Sequence, residues 1–111
     1  MDIPLVFPDE ANRLLGEGAF LLDVREDDEW VAGRSSVATH IPLAEVPTRM
    51  GELPEDRTVI AICRAGGRSE KAAEFLLAQG VYAVNMAGGM RAWAAAGYDV
   101  VTETGEPGTV I

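Results

Sequence analysis

The stretch "TVIAICRAGGRSEKAAEFL" (residues 58–76) joins an apolar run to a helix-forming segment through a turn with two glycines and two arginines. It also carries the only cysteine of the chain. Residues 58–63 are almost continuously apolar, the pattern of a strand buried on both faces. In "RSEKAAEFLLAQG" (68–80), Ala72, Phe75, Leu76 and Gln79 fall on one helical stripe, and Gly80 supplies the stop.

The same alternation extends in both directions. "FLLDV" (20–24) and "VYAVNM" (81–86) read as two further strands. "HIP" (40–42) and "DVV" (99–101) are weaker candidates, and "IPLVF" (3–7) reads as an edge strand broken by Pro4. Between them, 9–16 reads as a helix with Asp9 as its N-cap and Gly16 as its stop. Residues 43–53 read as a short helix marked by a proline, and "GMRAWAAAG" as a helix ending at Gly97. This pattern predicts an α/β fold: a small open, mostly parallel five-stranded sheet with helices on both faces. Residues 1–103 are expected to form a single domain, with 104–111 a polar C-terminal tail, loosely held.

The totals narrow the function. The chain has 111 residues, enough for one domain with a core of its own. One cysteine and one histidine, His40, leave no basis for a disulfide framework or a cysteine- or histidine-built metal site, and no cofactor is expected. No basic segment followed by an apolar stretch opens the chain, and the apolar runs fall far short of the ~18 residues of a membrane span. A reduced, cytoplasmic setting is expected. The net charge of −9 argues against nucleic acid or an anionic membrane as partner. Asp23 and the run 26–29 are acidic, and the run reads as the solvated start of a helix. The glycine turn is basic, with Arg64 and Arg68.

In an open parallel sheet, ligands gather where strands run out into helices, and Cys63 is expected as the last residue of the most apolar strand. Gly66 and Gly67 give the turn backbone freedom, so that successive N–H groups can point into one concavity. The following helix adds its free N–H groups and the positive end of its dipole. Such settings hold thiols at pKa values of roughly 3.5–7.5 against ~8.5 for a free cysteine. An ionised thiol needs no general base. The turn is thus expected to present a nucleophilic sulfur in an anion-binding cradle.

"CRAGGRS" (63–69) resembles the active-site loop of the rhodanese family. "LLDVREDDEW" (21–30) resembles its Asp-Val-Arg segment and "GGMRAW" (88–93) its Gly-Gly-x-x-Ala-Trp segment. The resemblance covers roughly residues 5–101 and implies sulfur transfer through a persulfide on Cys63. Thiosulfate or a persulfide would be the donor, and cyanide, a thiol or a sulfur-accepting protein the acceptor. It further implies that the N–H groups from Arg64 through Ala65, Gly66 and Gly67 to Arg68 cradle the persulfide. Arg68 would orient the loop and Arg64 meet incoming anions, with Ser69 in support. Asp23 and Arg25 resemble the family's supporting pair, against the alternative of strand-end residues in ordinary surface hydrogen bonds. Trp93 reads as core. The chain departs from the family at "GRSSVA" (33–38), where Arg34, Ser36 and Val37 replace the usual His, Pro and Gly; His40 nearby reads as structural.

Two other readings stand beside this one. Cysteine phosphatases and arsenate reductases resemble a Cys-x₅-Arg pattern, whereas only four residues separate Cys63 from Arg68. A non-catalytic interaction module, or a persulfide carrier serving a partner, is the other alternative.

Overall fold

The computed structural model describes residues 2–111. Five strands form one sheet: β1 (Leu5–Val6), β2 (Phe20–Asp23), β3 (Ala38–His40), β4 (Val59–Ile62) and β5 (Ala83–Met86). Their spatial order is β1-β5-β4-β2-β3, and all four pairings are parallel. Central β4 is buried along its whole length, which accounts for its unbroken apolar sequence. The connection from β2 runs outward to β3 and that from β4 runs the other way to β5. The strand order therefore reverses between β2 and β4, and in open sheets of this kind ligands bind beyond the carboxyl ends of the strands at such a switch point.

Alternate residues of each strand enter two cores. On one face Leu22, Val59, Ala61 and Ala83 pack with Ala72, Ala73 and Leu76 of α3 (Gly67–Ala78) and with Val46 and Leu53. On the other, Leu21, Ile60, Ile62, Val84 and Met86 pack with Ala11 of α1 (Pro8–Gly16) and with Met90 and Trp93 of α4 (Gly89–Ala95). Trp93 is 2% exposed, its indole N–H donating to the Asp99 carbonyl at 2.9 Å. No helix among the described residues is long and apolar enough to cross a membrane.

The acidic run opens α2 (Asp27–Ala32), where it forms a capping box: the Glu26 N–H donates to Glu29 Oε1 at 3.0 Å. Acids in this first turn complement the helix dipole.

Several expectations are corrected. Cys63 lies one residue beyond the end of β4 instead of closing it. Helix α1 starts at Pro8 with Phe7 as N-cap, and Asp9 instead accepts the Tyr98 hydroxyl at 2.6 Å. Proline fits the first helical position because its missing N–H has no partner to lose there. Residues 43–53 form two 3₁₀ turns, Leu43–Thr48 and Met50–Glu52; Pro47 inside the first denies it the N–H that continued α-helical bonding needs. Residues 99–101 do not join the sheet. Val101 instead makes isolated antiparallel bridges to Arg34 and Pro107. Along 104–111, Gly108 N–H donates to Val100 O at 2.9 Å, Thr109 N–H to Ala32 O at 2.9 Å, and Val110 packs against the α1/α4 core.

Candidate active site

Cys63 sits just beyond the carboxyl end of β4, beside the β2/β4 switch point and 1% exposed, where the strand breaks into the loop leading to α3. Gly66 turns this loop back on the sulfur. Its φ of +117° belongs to the left-handed region, and in that conformation its N–H donates to Cys63 Sγ at 3.0 Å. Gly67 contributes differently from the expectation. It is the first residue of α3, has no positive φ, and has open space where a side chain would stand.

Ser69, on the first turn of α3, brings its hydroxyl oxygen to 3.3 Å from the sulfur. Burial opposes a charge on Cys63. The Ser69 hydroxyl and the N–H groups of Ser69, Gly66 and Ala65 outweigh it and hold the thiol below the ordinary cysteine range.

The loop is held from behind by α4. Met90 N–H donates to Cys63 O at 2.7 Å and Arg91 N–H to Arg64 O at 3.1 Å. This close approach requires glycine at 89. A Cβ there would lie 2.5 Å from Cys63 O and 2.6 Å from Arg64 O, and its φ is +59°.

The two loop arginines diverge. Arg68 points to α2 and grips Glu29 with both terminal nitrogens, Nη1 to Oε1 at 2.6 Å and Nη2 to Oε2 at 2.8 Å. That grip, with the Glu26 N–H helping and partial burial opposing, pulls the Glu29 carboxyl down to about 2. The same pairing raises the Arg68 pKa. Arg64 is exposed at the mouth, and its Nε donates to the Ile111 carbonyl at 2.9 Å.

Asp23 and Arg25 are completely buried, which excludes ordinary surface hydrogen bonding for both. Arg25 donates from Nε and Nη2 to the Asp23 carboxylate at 2.7 to 3.1 Å. It also donates to the carbonyls of Glu29 at 3.2 Å and Gly33 at 2.7 Å. The pair thereby fixes α2, and with α2 the carboxylate that holds Arg68. His40 Nε2 lies 2.7 Å from the Arg25 carbonyl, which can only accept, so that nitrogen carries the proton. The His40 ring stacks on Trp30 at 4.8 Å, and the Arg34 guanidinium covers the indole at 4.3 Å. This stack occupies the region where the chain departs from the family motif.

Two residues of this constellation were not singled out from the sequence. In the sequence Glu29 is one acid of an acidic helix start; its spacing from Glu26 marks a capping box, but nothing local points to Arg68. Asn85 is buried on β5. It donates from Nδ2 to Gly66 O at 3.1 Å, and its Oδ1 faces the Ser69 hydroxyl at 2.6 Å. A lone amide in an otherwise apolar strand was its only sequence signal.

A thiol just beyond the central strand of a parallel sheet, seated on a glycine turn that leads into a helix, defines a cysteine-loop protein of the α/β class. The chain belongs to the rhodanese family: the model of the rhodanese-like domain matches residues 7–96. It is 42% identical over 77 residues to the putative sulfurtransferase YtwF of Bacillus subtilis, covering 69% of this chain and 75% of that protein. It is 39% identical over 90 residues to a sulfurtransferase of Allochromatium vinosum, covering 80% and 84%. The crystal structure of reduced CoADR-RHD of Bacillus anthracis superposes with a TM-score of 0.79 at 32% identity. That match takes in 83% of this chain but only 16% of the longer one.

Proposed function

We propose that this chain is a sulfurtransferase carrying sulfane sulfur on Cys63. In the first half-reaction the Cys63 thiolate attacks the outer sulfur of thiosulfate. An Sγ–S bond forms, the bond to the sulfite sulfur breaks, and its electron pair leaves with sulfite. In the second, an acceptor thiolate or cyanide attacks the outer sulfur of the persulfide, and the electron pair of the broken Sγ–S bond returns to Cys63 as thiolate. A persulfide donor enters by the same displacement, with a thiolate leaving in place of sulfite. Such a working thiol fits a reducing, cytoplasmic setting.

The observation that carries this reading is the seat of the sulfur: Gly66 N–H at 3.0 Å from Sγ, with Ser69 alongside. Donors there stabilise the departing thiolate in the second step. The cradle formed by the backbone from Arg64 to Arg68 takes the outer sulfur of the persulfide. With Arg68 already bound to Glu29 by two hydrogen bonds, we assign it to holding the loop and leave anion capture to Arg64 at the mouth. The relatives named sulfurtransferases support the same class of reaction.

Treatment with thiosulfate should add one sulfur atom to the intact mass. The gain should be removed by cyanide and absent from Cys63→Ser. No gain in the wild type would overturn the reading in favour of an interaction module. Hydrolysis of an aryl phosphate without thiosulfate turnover would favour phosphatase chemistry.

A further inference from the structure

Ser69 has one hydroxyl proton and three acceptors within reach: Asn85 Oδ1 at 2.6 Å, Cys63 Sγ at 3.3 Å and Gly66 O at 3.3 Å. Which of them receives it is set by Asn85. Gly66 O can only accept, so the Asn85 atom at 3.1 Å must be the amide nitrogen; Oδ1 then necessarily faces Ser69. Asn85 is 2% exposed and Ser69 fully buried, so no bulk water offers either group a substitute partner.

We propose that Asn85 is a positioning residue for Cys63: it holds the Ser69 hydroxyl proton while the thiol is protonated and releases it to the sulfur when the thiol ionises. In the resting state the short Ser69–Asn85 bond takes the proton, and the Ser69 oxygen accepts from the Cys63 S–H. Once that S–H proton has left, an oxygen lone pair would face a negative sulfur. The hydroxyl therefore swings its hydrogen onto Sγ, leaving Asn85 Oδ1 buried without a donor. When the sulfur carries a persulfide, the charge sits on the outer atom and the hydroxyl returns to Asn85. Asn85 thus weighs against the bare thiolate relative to both the thiol and the loaded form. The loaded-form part rests on the proposed sulfur transfer; the proton switch itself does not.

The other charged groups of the site are Arg64 in the loop, Arg68 on α3, Glu26 and Glu29 at the start of α2, the Asp23–Arg25 pair at the end of β2, and the exposed Arg91 of α4. Strand β5, from Ala83 to Met86, brings none. None is altered in the test variants.

The test is the pH midpoint of Cys63 alkylation by iodoacetamide, unambiguous because the chain has a single cysteine. It needs no sulfur transfer, so its outcome is separate from that of the thiosulfate experiment. Asn85→Ala frees the Ser69 proton for the thiolate and should lower the midpoint by about half a pH unit. Asn85→Asp adds a negative charge that keeps its claim on the proton, and should raise the midpoint by about one pH unit. Ser69→Ala should raise it and abolish the effect of Asn85→Ala in the double variant.

Shifts of the same sign from the two Asn85 variants would overturn the proposal, as would an Asn85→Ala shift that persists without Ser69. Thermal melting checks that each variant folds. If Asn85→Ala does not, Asn85→Asp decides: its rise must shrink in the Ser69→Ala background, and an undiminished rise overturns the proposal.

Discussion

Glu29 serves two structures with one carboxylate, closing the capping box of α2 and holding Arg68 of the cysteine loop. Its carboxyl titrates at about 2 in the fold against an ordinary value of 4.5. The unfolded chain takes up this proton first as pH falls, so the stabilisation is complete above 4.5 and is lost on descending toward 2. Glu29→Gln keeps the size of the side chain but removes the charge. It should cost about 1–2 kcal/mol at neutral pH, discounted because the Arg68 partner is partly exposed. The difference between the two proteins in urea unfolding should shrink through that acid window. Because Glu29 directs Arg68, the variant should also slow sulfur transfer with little change in the fold. An equal difference at pH 7 and pH 2 would show that the pair does not carry the charge-dependent stability.

At the scale of elements, the glycines of the loop and of α4 divide the labour. Gly66 alone in the loop needs a left-handed backbone; Gly67 is an ordinary helical residue with room for a side chain; Gly89 lets the start of α4 touch the carbonyls of Cys63 and Arg64. Gly67→Ala should leave stability within about 1 kcal/mol of the wild type or raise it, since alanine favours the helix. Gly66→Ala should cost about 1–2 kcal/mol through its forced φ. Gly89→Ala should cost more, because backbone atoms must shift in addition to the strained φ. Urea denaturation ranks the three, and the alkylation midpoint should rise in Gly66→Ala, where the N–H that meets the sulfur is displaced. Strands and the longer helices were legible because their apolar spacing is local. The 3₁₀ turns at 43–53 and the cap of α1 were not, because they depend on where a proline ring falls relative to the first hydrogen-bonded turn.

Across the whole molecule, the segment after α4 returns over α2 and reaches the mouth of the site. Its backbone presses on Gly33, where a Cβ would lie 2.5 Å from Thr109 O, and Ile111 O accepts from Arg64 Nε. Removing residues 104–111 should cost on the order of 1–3 kcal/mol through the exposed apolar surface and lost backbone bonds. It should also weaken thiosulfate capture, since Arg64 loses its tether. Melting temperature and the KM for thiosulfate read these separately. An unchanged melting temperature would identify the segment as a tail of no structural weight.

The sequence by itself determined the alternation of strands and helices, the parallel sheet, and the place of Cys63 at the start of a glycine turn. Each follows from residues that are neighbours along the chain. Only the tertiary structure decided what the loop's side chains meet. Arg68 finds Glu29 39 positions away, and Ser69 finds Asn85 16 positions away. Asp23 and Arg25, two positions apart, were visible as a pair but not as a fully buried one. A charge or hydroxyl declares its chemistry in the sequence, but its partner is fixed only when the sheet brings distant strand ends together, and the cost of leaving a buried polar group unpaired then selects the arrangement.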